Sequence, residues 1–158
     1  MPIFINDDPQ ISIKEMIATC KKIKKRYKKE LGLVLVDYLQ LMDGPVPEFR
    51  DDELSRITRQ LKAMACELQV PIIVLSQLNR RIEFRSNKRP MLSDIRESGS
   101  IENNADLVVM MYRDEYYYAE TCDRGITELI TCKHRNGPIG TVKLLFEPQY
   151  TRFRNLAA

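Results

Sequence analysis

Three short aliphatic runs constrain this chain more than any other feature: Leu33 to Val36 (LVLV), Ile72 to Leu75 (IIVL) and Leu107 to Met111 (LVVMM). Each is unbroken by a polar residue, which is how a strand covered on both faces of a parallel sheet reads. Helical patterns precede and separate them. Ser12 and Glu15 form an S-x-x-E capping box, after which Ile13, Met16, Ile17, Cys20, Ile23 and Tyr27 recur at helical spacing. Beyond a loop holding Gly44, Pro45 and Pro47, the acids Asp51, Asp52 and Glu53 suit the positive end of a second helix. Its buried side is Leu54, Ile57, Leu61, Met64, Ala65 and Leu68, and Pro71 interrupts the pattern. The third run follows a polar segment from Asn79 to Asp106. Strands alternating with helices predict an α/β fold, a mostly parallel sheet with right-handed crossovers and helices on both sides. Ile126 to Arg135 and Thr141 to Phe146 flank Asn136, Gly137, Pro138, Ile139 and Gly140, which predicts a C-terminal β-hairpin. Ile3 to Ile5, closed by Asn6, Asp7, Asp8 and Pro9, reads as one more short strand.

At 158 residues the chain suits one domain rather than two. Lys and Arg outnumber Asp and Glu by only 25 to 22, so net charge alone establishes no nucleic-acid or membrane partner. The run KKIKKRYKK, Lys21 to Lys29, favours a helix C-terminus through the macrodipole and reads as either a solvated face or a phosphate contact. Cys20, Cys66, Cys122 and Cys132 are far apart, with no CxxC pair and only His134 as a histidine, which fits a reducing compartment better than a zinc site or disulfide framework. No apolar run approaches the roughly 20 residues that span a bilayer, and MPIFINDDPQ lacks the features of a signal peptide, so a soluble, internal protein with no membrane partner is expected. Tyr116, Tyr117 and Tyr118, set among charges, read as a mobile loop.

In open parallel sheets ligands bind beyond the carboxyl ends of strands, where two of the runs deliver Asp37 and Gln77. An aspartate closing a buried strand is the Walker B arrangement, which holds Mg²⁺, usually through water, beside nucleotide phosphates. A strand-end aspartate that caps a loop or pairs with a base, and a glutamine that satisfies backbone groups, remain alternatives. Lys133 and Arg135, two apart on a strand, leave the same face and can act as a pair or as edge-strand protection. Arg81, Arg85, Lys88 and Arg89 form a basic patch that reads equally as a flexible loop or as a direct contact, and with no aromatic residue interleaved any binding is expected to depend on phosphate more than on stacking.

LVLVDYLQLM (Leu33 to Met42), VPIIVLSQLNR (Val70 to Arg80), KRPMLSDIRESGSIENNADLV (Lys88 to Val108) and KHRNGPIGTVKLLF (Lys133 to Phe146) resemble, in order, successive motifs of the DnaB family of bacterial replicative DNA helicases. The resemblance runs from about Ile3 to the last residues and implies the C-terminal part of a RecA-like motor domain over 1–158. It also implies a ring homo-hexamer that encircles single-stranded DNA and moves by hydrolysing ATP, with primase and a helicase loader as partners, in a bacterial cytoplasm or plastid stroma. Residue by residue, Asp37 matches the Walker B aspartate for Mg²⁺, and Gln77 the glutamine that couples the γ-phosphate state to the DNA-binding loops. Lys133 and Arg135 match the basic residues that reach the γ-phosphate on the neighbouring subunit, Arg135 as the arginine finger. Arg80, Glu97 and Gly99 match positions on the central DNA loops.

The phosphate loop G-x-x-x-x-G-K-[ST] is not found around any of the six glycines, and the family's catalytic glutamate, linker helix and N-terminal domain fall upstream of the matched region. Two functions therefore stand: part of an ATP-dependent replicative helicase, or a catalytically inactive RecA-like module that binds DNA or a helicase subunit. A RecA-family recombinase fits ESGSIENNADL and KHRNGPIG less well.

Overall fold

The computed structural model describes residues 2–8, 11–42, 50–95 and 98–156. Pro9, Gly44, Pro45, Pro47 and Glu97 lie outside these, as do the side chains of Asp51 and Asp52. The chain forms two compact units: residues 1–77 with 99–104, and 78–98 with 105–158.

In the first unit, helix α1 spans Ile13–Tyr27 and starts at the expected capping box. The Ser12 hydroxyl accepts from the Glu15 N–H at 3.3 Å while the Glu15 carboxylate accepts from the Ser12 N–H at 2.9 Å. The Ser12 hydroxyl also donates to the Glu15 carboxylate at 2.7 Å, and this bond, followed by the one from the Ser12 N–H, holds the Glu15 carboxyl below its ordinary range. Lys28, left-handed at φ 50°, ends the helix after a last turn that holds Lys24, Lys25 and Arg26. Of this basic run, Lys21 pairs with Glu67 and Lys24 with Glu30.

Strands β1 (Val34–Val36) and β2 (Ile72–Val74) pair parallel, with Val34 opposite Ile72 and Val36 opposite Val74. Helix α2 (Arg50–Leu68) connects them. Ile13, Val36, Leu39, Leu54, Ile57, Leu61, Met64, Leu68 and Val70 form one core, against which Met16, Ile17, Cys20, Val34, Ile72 and Val74 pack. Both helices share this core, so it covers one face of the strand pair. On the other face Leu35 and Ile73 remain 59% and 49% exposed, which corrects the expectation of strands covered on both sides. Tyr27 lies outside the buried stripe and instead meets the Phe4 ring at 4.8 Å. Ile3 to Ile5 form no strand; these side chains are exposed and no described strand pairs with them. Helix α3 (Ser98–Asn104) adds Ile101 to the core, and the Asn104 amide donates to the buried Thr58 hydroxyl at 2.8 Å.

The second unit is a four-stranded sheet in the order β3-β4-β5-β6: Leu107–Tyr112, Ile126–His134, Gly140–Glu147 and Arg152–Asn155. The expected C-terminal hairpin is β4–β5, and the α/β class holds. The third aliphatic run, expected as a further parallel strand, pairs antiparallel with β4, with a register shift between Val108 and Val109. It buries alternate residues only, Val108, Met110 and Tyr112. The four cysteines are free thiols.

Leu54 is fully buried in the first unit's core. Leu54→Ala is expected to cost about 2–5 kcal/mol through lost contacts and the cavity left behind. A lowered urea midpoint at unchanged slope checks this.

Candidate functional site

Beyond Val36 and Val74 the backbone ladder continues for one step on each side. The Leu75 N–H donates to the Val36 carbonyl and the Leu39 N–H to the Leu75 carbonyl, both at 2.9 Å. Asp37 and Gln77 thus sit just past the carboxyl ends of two paired parallel strands, where a ligand can approach. Both are exposed. The Asp37–Tyr38 peptide bond is cis. Leu39–Leu41 then form a single 3-10 turn whose buried Leu39 enters the core and leaves Gln40 facing β2. The Gln40 side chain spans to the following loop: its amide donates to the Ser76 hydroxyl at 3.0 Å, and its carbonyl accepts from the Gln77 N–H at 3.2 Å. Gln40 is therefore a positioning residue for Gln77 that residue-by-residue matching missed. The signal was present in DYLQ, where the glutamine follows the strand-end aspartate by three residues.

Asp37 and Gln77 keep their side-chain carboxylate and amide unengaged among the described residues, so both are available to a ligand. No group of three or more His, Cys, Asp or Glu side chains among the described residues gathers into a metal cluster. A lone exposed carboxylate fits Mg²⁺ well enough, because this ion keeps several waters and takes only one or two carboxylates alongside substrate phosphates. Gly99 lies in the first turn of α3, where a methyl group would meet nothing within 4 Å. Packing within the chain therefore does not require glycine there.

The second unit carries the basic segment. Asn79 caps a 3-10 helix, Arg80–Phe84, by accepting from the Arg81 N–H at 3.0 Å. Arg80 and Arg81 are exposed and have no ion pair among the described residues. Arg85 and Arg89 are different. Arg85 donates through both Nη atoms to Asp94, at 3.0 and 2.8 Å, and also to the Arg89 carbonyl. Arg89 donates through Nε and Nη2 to Glu128, at 3.0 and 2.7 Å, and its guanidinium lies over the Tyr112 ring at 4.8 Å. Asp94 and Glu128 are both buried. The Arg89 hydrogen bond pulls the Glu128 carboxyl below its ordinary range and raises Arg89 in turn. These two arginines serve the fold, so neither a flexible loop nor a direct nucleic-acid contact describes them. Lys88 stands over Tyr117 and Tyr118, at 5.9 and 5.3 Å.

The tyrosine cluster is built into the structure rather than left as a loose loop. Helix α4 (Asp114–Tyr117) stacks Tyr117 on Tyr112 at 5.8 Å, and the Tyr118 hydroxyl donates to the Ser86 carbonyl at 2.8 Å. The expectation of phosphate contact without stacking also overlooks Phe84, inside the basic segment and 89% exposed.

Lys133 lies in β4 opposite Val108 and is half-buried, whereas Arg135 is the first residue past the strand. The Arg135 N–H donates to the Asp106 carbonyl at 2.9 Å, and its guanidinium lies 3.5 Å from the Asp106 carboxylate. The turn is shaped by His134, whose Nδ1 lies 3.2 Å from the Pro138 carbonyl. A Cβ on Gly137 would fall 2.3 Å from that ring, so glycine is needed to seat it. Asp37, Gln77 and Gly99 thus belong to the first unit, and Arg80, Lys133 and Arg135 to the second.

Residues 1–155 match the family described as DnaB-like helicase C terminal domain. Over 98% of its length the chain is 51% identical to the replicative DNA helicase DnaC of Bacillus subtilis (strain 168) and 49% identical to the replicative DNA helicase DnaB of Geobacillus stearothermophilus. It is 51% identical over 97% of its length to a probable replicative DNA helicase of Trieres chinensis. In each case it covers 34% of the relative, so it spans about a third of the curated relatives' length. A solved DnaB-like replicative helicase, described with its interactions with primase, superimposes with a TM-score of 0.86 at 44% identity. That match covers 92% of this chain and 35% of the other.

Replacing Glu128 removes the buried carboxylate and leaves the half-exposed Arg89 guanidinium without its counter-charge. Glu128→Gln is expected to cost about 2 kcal/mol at neutral pH, less than a fully buried pair because Arg89 is half exposed. The folded carboxyl titrates below its ordinary value of 4.5, so the pair contributes fully above that value and is lost as pH falls through the lower folded one. The thermal midpoint of the unmodified chain should therefore fall more steeply than that of Glu128→Gln as the pH is lowered below 4.5.

Proposed function

The chain belongs to the DnaB-like helicase C-terminal domain family, and on that premise we propose that it is the carboxyl-terminal part of the RecA-like motor of a replicative DNA helicase. In this reading a homo-hexameric ring, completed by the remainder of the motor and an N-terminal domain, moves along single-stranded DNA at the expense of ATP. Primase and a helicase loader are its partners, and a bacterial cytoplasm or a plastid stroma its compartment. No described helix is long and apolar enough to cross a membrane. The observation that carries the reading is the placement of Asp37 and Gln77 past the carboxyl ends of paired parallel strands in a chain of this family.

Each residue then has a task that its surroundings support. Asp37 would hold Mg²⁺ through water, and the ion would supply neutralisation of the nucleotide's phosphate charge. Gln77 presents a neutral amide that can report the phosphate state to the DNA-binding loops, and Gln40 holds its backbone by accepting from its N–H. Arg135 acts on the neighbouring subunit's nucleotide, with Lys133 beside it. Its contact with Asp106 is half exposed on both sides, and such pairs are worth at most about 1 kcal/mol. Arg80, Glu97 and Gly99 belong to the central DNA loops, where the Arg80 guanidinium and the close backbone approach that Gly99 allows follow the DNA phosphates.

Without G-x-x-x-x-G-K-[ST] among its residues, the purified chain is expected not to turn over ATP. In the motor completed with a phosphate-loop segment, Asp37→Asn should abolish Mg²⁺-dependent turnover. Gln77→Ala, and more weakly Gln40→Ala, should keep basal turnover and lose its stimulation by DNA. Normal stimulation in both would reject the coupling role.

Arg135→Ala should lower turnover by about 10³-fold or more with a much smaller loss of nucleotide affinity. Rings mixing Arg135→Ala with Asp37→Asn subunits should recover single-turnover hydrolysis at interfaces that keep both intact groups. Co-assembled rings with none would reject action across subunits.

A further inference from the structure

Phe84 exposes 89% of its surface, yet its backbone is fixed on both sides. Before it, the Asn79 N–H donates to the Asp94 carbonyl at 2.7 Å, and Ile82 is buried. After it, the Arg85 N–H donates to the Ile82 carbonyl, and the Arg85 guanidinium holds buried Asp94 with two hydrogen bonds. The ring is thus presented on a pinned turn. Leaving a phenylalanine in water forfeits about 2 kcal/mol of burial, and at 89% exposure no contact with the described residues recovers it. The same turn holds Arg80 and Arg81, both exposed and without an ion pair among the described residues, against one acid, Glu83.

An open aromatic face beside unengaged guanidiniums is the chemistry that binds single-stranded nucleic acid: cations take phosphates while the ring stacks on a base. We propose that Phe84 is a stacking platform for one unpaired base, with Arg80 and Arg81 on the flanking phosphates. This deepens the reading of the chain as a DNA-binding motor part and rests on it. Phosphate contacts alone do not separate single from double strands, whereas a stacking face does, because bases inside a duplex already stack on one another. Phe84 is therefore a residue of strand selectivity rather than of general affinity.

The chain has no tryptophan, so Phe84→Trp gives a single fluorescent reporter at the platform. Titrating the 158-residue chain with a labelled oligo-dT reads DNA binding by anisotropy and stacking by indole quenching. Quenching that tracks the anisotropy is expected. Phe84→Ala and Phe84→Leu should each weaken oligo-dT binding by about 5- to 100-fold, the range for one stacked base. Duplex binding should be unchanged, and an abasic strand should bind the variants and the unmodified chain equally. Anisotropy without quenching, or Phe84→Leu binding like the unmodified chain, overturns the platform while leaving DNA binding intact. Indole emission that changes with protein concentration alone overturns it in favour of a contact between copies. Absence of any binding to oligo-dT rejects the DNA-binding reading itself.

Discussion

The register of β1 against β2 is the constraint on which the first unit's chemistry depends. With Val36 opposite Val74, the ladder closes through Leu75 and Leu39, and the chain leaves both strands at the same level. Asp37 and Gln77 then emerge at one edge, and Gln40 is in reach of Ser76 and the Gln77 N–H. A slip of one residue in either strand would turn Val34 and Val36, or Ile72 and Val74, out of the core they share with α1 and α2. The core therefore enforces the register, and the register places the polar edge. The geometry of that edge is a by-product of aliphatic packing in the core.

In the second unit the controlling factor is the burial of two carboxylates. A buried acid without a counter-charge is costly, and Asp94 and Glu128 each take a bidentate arginine from the basic segment. Arg85 and Arg89 hold that segment down, with Tyr112 under the second guanidinium. What remains for a ligand is narrower than the sequence count suggests: Arg80, Arg81 and the ring of Phe84. The same pinning that removes two charges makes the rest of the turn rigid, and rigidity is what gives an exposed aromatic ring a defined direction.

Local signals were the ones legible in the sequence. The capping box at Ser12, the helical stripe from Leu54 to Leu68 and the glycine-rich turn before Gly140 rest on residues close together in the chain, and each element formed where expected. Partner choice was less legible. LVVMM reads as a strand in any context, but only tertiary structure decides that it joins β4 antiparallel. Continuous aliphatic runs also overstated burial, because an apolar residue reports what a face can tolerate and not whether anything covers it. Ile3 to Ile5 failed as a strand for the same reason: propensity without a partner makes no ladder. Gln40 went unnoticed because its role is a pair of hydrogen bonds to residues 36 and 37 positions away.

The arginines show how the two kinds of role separate. Arg85 and Arg89 face carboxylates that are about nine-tenths buried, so breaking either pair leaves an ion in poor solvent. Arg135 faces Asp106, half exposed, where water replaces the contact at little cost. Sequence gives all three the same formal charge and the same side chain. The difference lies in the partner's burial, which decides whether a guanidinium is committed to its own fold or can be recruited by a group outside it. By that measure Arg85 and Arg89 are committed to their own fold, whereas the contact between Arg135 and Asp106 at the end of β4 is a shallow one.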